Sequence, residues 1–415
     1  MKHWNKLSED QIRDTIKDAL KHNQNYFDDQ ILGIPGSHLD DRVFYHKAPF
    51  LKDAPYLNTL IHNPNHIGCH TLGDSEPFFS GTQNIERELI KICAEDIFKG
   101  ATDAQDGYVA SGGTEANMQA VWIYRNFFRQ HFDAKNDEIG IVCSADAHYS
   151  FAKASNVFDI PIYTIPVDNH TRQINSSDLR QILEEAKREK GFKYGIVIIN
   201  MMTTMFGSID SPTQYAEVLN ELSIEFKMHV DGAYGGFVYP FSVEDYDINF
   251  ENPLINSITL DAHKMLQAPY GTGIFLIRKD YMHYTFTESA KYVSGHDITL
   301  VGSRSGANAI AVWMILMTYG PHEWFEKIQT LILRTNWLCK QLDQLNIRYY
   351  RNPYSNIVSI YSGQLPQEVS EQYGLVPDNH ESPSWHKIVV MEHVTVDKME
   401  RFINAVKYNY IYDEC

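Results

Sequence analysis

Ile255-Asn256-Ser257-Ile258-Thr259-Leu260 runs directly into Asp261-Ala262-His263-Lys264, so that an apolar, β-branched stretch ends on a histidine and a lysine. Such a run reads as a buried strand, with the lysine held at its end. Similar short runs occur at 139–143, 160–167, 195–200, 228–230 and 273–277, several of them separated by polar segments of helix length. This alternation predicts a mainly parallel sheet covered by helices, an α/β fold.

Helical periodicity flanks the runs. Ile85, Leu89, Ile92 and Cys93 fall at i, i+4, i+7 and i+8, as do Ala116, Ala120, Ile123 and Tyr124, each set giving one buried face. Residues 8–22 form a further predicted helix, with Ser8 at its cap and Gln11 at the capping-box position, before a loop at Gly33-Ile34-Pro35-Gly36. From about residue 305 the rhythm changes to longer helices at 307–319 and 324–345, then to strand-like segments at 357–361 and 387–392. The expected organisation is an N-terminal helical segment (1–55), a large domain (56–305) and a small C-terminal α+β domain (306–415), with no internal repeat or low-complexity linker.

The chain has 415 residues, 43% of them hydrophobic, enough for a large core. Its net charge of -17 repels a phosphate backbone and leaves no basic stripe for nucleic acid, so an anionic ligand would have to be held by local backbone amides. Cys69, Cys93, Cys143, Cys339 and Cys415 form an odd set without CxxC spacing, against both a disulfide framework and a zinc knuckle. The N-terminus lacks an apolar signal core, and no stretch approaches the length of a membrane span. A cytoplasmic protein in a reducing compartment is the expectation. His62, His66 and His70 have the four-residue spacing of metal ligands on a helix, but Pro64 interrupts it, and no metal site is expected there.

Four segments carry the chemistry. In Ser111-Gly112-Gly113-Thr114-Glu115-Ala116-Asn117, two glycines let backbone amides approach an anion, Thr114 adds a hydroxyl, and the helix that follows turns its positive end towards it. Taken alone, the segment reads more readily as an ordinary strand-to-helix turn with a threonine cap, and the other segments reverse that reading. Asp231, in His229-Val230-Asp231-Gly232-Ala233-Tyr234-Gly235-Gly236, ends a strand and suits a pyridine nitrogen that must stay protonated, while Ala233 points the same way with a small methyl. His148 is flat and polar, fit to stack on a ring and to hydrogen-bond a carboxylate or relay a proton. Lys264, between an apolar run and Pro269-Tyr270-Gly271-Thr272-Gly273, is expected on a buried loop, where desolvation favours the neutral amine that a Schiff base needs. Together these residues outline a site for pyridoxal 5'-phosphate (PLP).

The order and spacing of these segments, with Lys153-Ala154 and Gly302-Ser303-Arg304-Ser305-Gly306, resemble the group II PLP-dependent amino-acid decarboxylases of fold type I over about residues 80 to 320. The resemblance implies a fold type I PLP-dependent transferase-like architecture: a mainly parallel seven-stranded sheet in a large domain and a smaller C-terminal α+β domain. It also implies a homodimer with active sites at the interface. By the same resemblance Lys264 forms the Schiff base, Asp231 pairs with the ring nitrogen, His148 stacks on the ring and Ala233 supports its other face. Gly113, Thr114 and His263 are implied at the phosphate, Thr204 near the cofactor, and Ser303 at the phosphate of a neighbouring subunit. Where the family has Gly-Thr-Thr, this chain has Met202-Thr203-Thr204, a departure that bears on the pocket wall.

The implied reaction removes the carboxylate of an L-amino acid as carbon dioxide and returns a proton to the α-carbon. Tyr284, Tyr292 and His296 are the candidates for that proton transfer, and each reads as well as a packing aromatic. The segment 292–297 and the stretch 385–394 resemble bacterial PLP-type histidine decarboxylases, whereas 261–264 and 270–273 resemble tyrosine, aspartate or sphingosine-phosphate-lyase relatives, so the substrate stays open. A carbon-carbon lyase or an aminotransferase would use the same Lys264 and Asp231. A non-catalytic PLP-fold scaffold is the third alternative, and the presence of both residues weighs against it.

Overall fold

The computed structural model describes residues 55–69, 71, 73, 79–287 and 296–413, together with 30, 32, 40, 42 and 43. The helix expected at 8–22, the loop at 33–36, His70, Tyr292 and Cys415 lie outside the described residues.

Seven strands form the main sheet: β1 (Gln105–Ala110), β2 (Ile139–Ser144), β3 (Ile162–Ile165), β4 (Tyr194–Asn200), β5 (Glu225–Asp231), β6 (Ile255–Asp261) and β7 (Gly273–Arg278). Their spatial order is β1-β7-β6-β5-β4-β2-β3. The pairs from β3 through β6 are parallel, whereas β7 lies antiparallel between β6 and β1. The expected α/β class and mainly parallel sheet are therefore present. β2 and β6 are buried along their whole length, which is why they read as unbroken apolar runs rather than alternating ones.

β1 has no such signature, because Asp106 and Gly107 interrupt it. Packing demands the glycine: a Cβ at Gly107 would lie 2.3 Å from the carbonyl oxygen of Phe275 on β7.

The helices that connect the strands carry local start and stop signals. α1 (Pro55–His62) and α2 (Ser80–Lys91) precede the sheet, and α3 (Gly113–Phe132), α4 (Ser150–Phe158), α5 (Ser176–Lys190) and α6 (Pro212–Glu221) alternate with its strands. In α5, Asn175 accepts from the Ser177 amide, Gly191 ends the helix in the left-handed region, and Leu179, Leu183 and Ala186 face the core. The long helix α7 (Gly306–Gln344) is broken at Gly320, with φ 61° and ψ 179°, just before Pro321. The expected break between residues 319 and 324 thus falls inside one kinked element.

A second, antiparallel sheet has the order β10-β11-β9-β8, built from β8 (Tyr349–Tyr350), β9 (Ile357–Tyr361), β10 (Val376–Pro377) and β11 (Trp385–Val389), with helices α8 (Gln367–Gln372) and α9 (Val396–Asp413). β11 starts two residues earlier than its apolar pattern suggests. Asp378 accepts from the amides of Ser384 and Trp385 and seats the start of the strand opposite Tyr361.

A buried ionic cluster ties distant parts of the chain together. Glu86 on α2 accepts from Arg304 at 2.5 Å and from the Val109 amide at 2.7 Å, and its other oxygen meets His66 Nδ1 at 2.5 Å. Arg304 also donates to the carbonyls of Val109 and Gly68. His66, whose spacing suggested a metal ligand, is occupied here by Glu86 and Thr82.

Candidate functional site

Five strands deliver residues to one edge of the main sheet. β1 leads into the glycine turn before α3, β2 into the loop of His148, β4 into Met202-Thr203-Thr204, β5 ends on Asp231, and β6 ends on Asp261 just before Lys264. The register sets Asn200 beside Asp231 and Asp231 beside Thr259, so the strand ends are level. Crevices at the carboxyl ends of parallel strands are where α/β sheets bind ligands.

His148, Asn200, Met202, Thr203, Thr204, Asp231, Ala233, Tyr234 and Lys264 line one narrow pocket there. The structure thus brings together Lys264, Asp231, His148, Ala233 and Thr204. Lys264 itself is half-buried and lines this pocket, in line with the partly desolvated position its sequence setting suggests.

Asp231 is held by two donors. Its Oδ1 accepts from the Ala233 amide at 3.1 Å and its Oδ2 from Asn117 Nδ2 at 3.0 Å. Since a carboxylate only accepts, the amide nitrogen of Asn117 must face it, and Asn117 Oδ1 must face His229 Nε2, 3.0 Å away. His229 then carries its proton on Nε2 and accepts through Nδ1 from the hydroxyl of Ser257 at 2.7 Å, which in turn accepts from Tyr124 at 2.6 Å. Burial alone pulls the His229 imidazole down to about 3, so the ring is neutral and the chain of donors points one way, towards Asp231.

The Asn117 amide also reaches Ser150 Oγ at 3.0 Å, and Ser150 approaches His148 Nδ1 through its hydroxyl at 2.9 Å and its amide at 3.2 Å. A backbone N–H can only donate, so Nδ1 of His148 is an acceptor and Nε2 holds the proton of the neutral ring. Burial lowers the basicity of His148, with the charges of Lys264 and Lys153 acting in the same direction and those of Asp231 and Asp261 opposing.

At the other end of the site, α3 begins its intrahelical bonding only at Ala116, which donates to the Gly112 carbonyl at 3.2 Å. The Gly113 amide is engaged by Asp261 Oδ2 at 3.0 Å, so what this glycine gives the turn is its missing side chain. A Cβ there would stand 3.0 Å from Asp261 Oδ2 and 3.2 Å from the Ala233 methyl. Thr114 remains partly exposed on the first turn. His263 sits on the Lys264 loop: its Nδ1 is 2.6 Å from Asp261 Oδ1, at an angle that makes no hydrogen bond, and its ring leans on Tyr270.

The remaining candidates are elsewhere. His296 is exposed, with its ring edge-on to Phe286, and no described contact joins it to the pocket. Tyr284 packs on Phe127, near the far end of α3, and is removed from the strand ends that carry the site. Ser303 is exposed and accepts from Asn65 at 3.2 Å. Met202 has a φ of +68°, in the left-handed region that glycine tolerates best, which accounts for the family's glycine at this position.

Asn117 and His229 were missed by sequence reasoning, although each had a signal. Asn117 sits one helical turn from Gly113, and His229 shares a strand face with Asp231.

The residues present fit PLP by the chemistry of their groups: an amine, a fixed carboxylate, a flat donor ring, a small methyl and a helix start with hydroxyls.

Comparison with known proteins agrees with this chemistry. The conserved domain of the pyridoxal-dependent decarboxylases matches residues 82–347. The chain is 50% identical to a tryptophan decarboxylase of Clostridium sporogenes over 99% of its own length and 97% of that protein. It is 30% identical to a probable L-tyrosine/L-aspartate decarboxylase of Methanocella arvoryzae, over 86% of this chain and 94% of the relative. A sphingosine-1-phosphate lyase of Burkholderia pseudomallei superposes with a TM-score of 0.78 at 16% identity, covering 98% of this chain and 92% of that one, a likeness of fold alone.

Proposed function

The chain belongs to the pyridoxal-dependent decarboxylase family and is an amino-acid decarboxylase that uses PLP; from that premise we propose that its substrate is an aromatic L-amino acid, tryptophan foremost. The observation that carries the proposal is a cleft of about 830 Å³ that opens from His148 and Thr204 and is walled by Tyr149, Phe206, Tyr361 and Trp385. Its arginines are already engaged. Arg172 pairs with Asp146 and lies 3.8 Å over the Phe206 ring, and Arg348 lies over Tyr361 and Trp385. A flat apolar side chain is accommodated by such walls.

Lys264, Asp231, His148, Ala233, Thr204, His263 and Thr114 would hold the cofactor, and the missing side chain of Gly113 lets Asp261 and Ala233 pack against the turn. When bound, PLP supplies an electron sink for the pair left at the α-carbon when carbon dioxide departs. Asp231, fixed by Asn117 and the Ala233 amide, offers the ring nitrogen an anionic acceptor. His148, its Nδ1 held by Ser150, keeps Nε2–H as the donor it can offer a substrate. Tyr292 is the proposed donor of the proton returned to the α-carbon; His296, exposed and without a described contact to the pocket, is not placed for that role within a single chain. We further propose a cytoplasmic homodimer, as the family resemblance implies; Ser303 and His296 are exposed, and Cys69, Cys93, Cys143 and Cys339 are free thiols.

The test is to incubate PLP-loaded protein with the pooled twenty amino acids, ornithine and diaminobutyrate and to identify the amines by mass spectrometry. Tryptamine as the main product is expected. Tyramine or β-alanine in its place would overturn the substrate reading, and a keto acid in place of any amine would favour aminotransfer.

A further inference from the structure

Asn356 immediately precedes β9 and Val390 immediately follows β11, so these two meet at one end of the strand pair, and Tyr361 and Trp385 meet at the other. The Asn356 side chain is fully buried and touches three parts of the chain. Its Nδ2 donates to the Val390 carbonyl at 3.0 Å and approaches Met265 Sδ at 3.7 Å, and its Oδ1 accepts from the Tyr234 hydroxyl at 2.8 Å. The backbone repeats the tie, the Val390 amide donating to the Asn356 carbonyl at 2.9 Å. A carbonyl only accepts, so Nδ2 must face Val390, Oδ1 must face Tyr234, and the phenol is the donor between them. Burial keeps that phenol protonated, raising it above its ordinary range against the pull of the Asn356 hydrogen bond.

Tyr234 and Met265 belong to the cofactor side: Tyr234 lines the narrow pocket with Asp231 and Lys264, and Met265 follows Lys264 in the chain. Tyr361 and Trp385 wall the aromatic cleft. One amide thus holds the strands that carry the cleft walls against residues that border Lys264. The small sheet has a second footing on the loop after β4, where Ser359 donates to the Met205 carbonyl at 2.7 Å and Lys387 to the Thr204 carbonyl at 3.0 Å. Because β9 and β11 are paired along their length, they move as one plate, and loosening the footing at Asn356 tilts the end that bears Tyr361 and Trp385.

We propose that Asn356, with Tyr234 as its partner, is a positioning residue that sets the walls of the substrate cleft in register with the edge that carries Lys264. The assignment rests on the reading of the aromatic cleft as the seat of the substrate's side chain. On that reading an amino acid brings its amine to Lys264 and its side chain to the cleft, so two parts of one small molecule are met at once by two different sheets. The spacing between those sheets then decides how well the substrate is held. The Asn356–Tyr234 contact itself touches no reacting atom and moves no proton.

The experiment compares PLP-loaded wild type with Tyr234→Phe, which removes a single oxygen and keeps the ring, with Asn356→Ala, with the double variant, and with Trp385→Leu as a change in the cleft wall. KM and kcat are measured with the amino acid that the product screen returns, and PLP affinity by fluorescence titration. The net worth of one neutral hydrogen bond predicts a rise in KM of roughly 3- to 10-fold in Tyr234→Phe. Its kcat and PLP affinity should stay within about twofold of wild type, the mark of lost substrate binding alone. The double variant should match Asn356→Ala, because both lack the same contact. A KM that rises in Trp385→Leu but not in Tyr234→Phe would overturn the assignment and leave a merely structural contact, even if the melting temperature falls. A parallel loss of PLP affinity in Tyr234→Phe, or additive rises in KM from the two single variants, would overturn it as well. If KM ignores Trp385→Leu too, the cleft reading has failed and the positioning role falls with it. Tyr234→Phe decides on its own if Asn356→Ala does not fold.

Discussion

Asn117 and Asp231 are 114 residues apart in the chain, yet the amide of one donates to the carboxylate of the other at 3.0 Å inside the core. The same amide reaches Ser150 and through it His148, so a single side chain orients both groups assigned to the cofactor ring. Asn117→Ala should lower kcat by 10- to 100-fold, the worth of a hydrogen bond to a charged group at about 1.5–3 kcal/mol, while PLP still binds. Steady-state kinetics on reconstituted protein check this, and a kcat within twofold of wild type would show that Asp231 holds its position unaided.

Met202 sets two energies against each other. Its left-handed backbone costs about 1–2 kcal/mol that glycine would recover, whereas removing a buried methionine side chain costs about 2–5 kcal/mol. Met202→Gly is therefore expected to be less stable than wild type in urea unfolding, and to accept bulkier substrates because the side chain lines the pocket. A more stable variant would mean that the backbone strain outweighs the packing of the side chain.

Arg304 is the cation of the buried cluster around Glu86. Arg304→Met leaves that carboxylate without its main partner and should destabilise the fold by about 3–5 kcal/mol, with Glu86→Gln in the same chain restoring part of the loss. Denaturant midpoints of the single and double variants measure the difference. Simple additivity of the two changes would argue that the pair is not coupled.

Asp210 is buried and accepts from the amide and the side chain of Asn200, beside the pocket. Burial raises its carboxyl to about 7, with the Asn200 hydrogen bonds opposing. A folded value above the unfolded one means that the folded state keeps a proton the unfolded chain has released. The stability this gives is complete below about pH 4 and is lost as pH rises through about 7. Asp210→Asn does not titrate, so its stability relative to wild type should improve by up to about 3 kcal/mol between pH 5 and pH 8. The comparison with this variant also isolates Asp210 from His229, whose lowered value has the opposite sign. An unchanged gap at the two pH values would refute the assignment.

The parts of the fold that were legible in the sequence are those where one physical demand dominates. Strands buried on both faces need unbroken apolar runs, so β2, β4 and β6 could be read directly, and the residues at their ends could be read with them. β1 was hidden because contact with Phe275 selects Gly107 over a β-former. Lys387 was hidden for a different reason: within a strand pattern it looks like a solvent-facing lysine, and only the packing of the second sheet against the Thr204 loop buries it. The relay from Tyr124 to Asp231 draws on α3, β5 and β6 at once, and no periodicity within one segment reports it.

The cluster of His66, Glu86, Val109 and Arg304 also has a temporal meaning. Arg304 follows Glu86 by 218 residues, so a chain growing from its N-terminus has exposed every strand of the main sheet, and Lys264 as well, before the cation for Glu86 exists. Until then His66 and the Val109 amide are the only members of the cluster available to that carboxylate. Every strand of the main sheet is therefore made before the residue that completes this cluster, and the cluster can form only after Arg304 has left the ribosome.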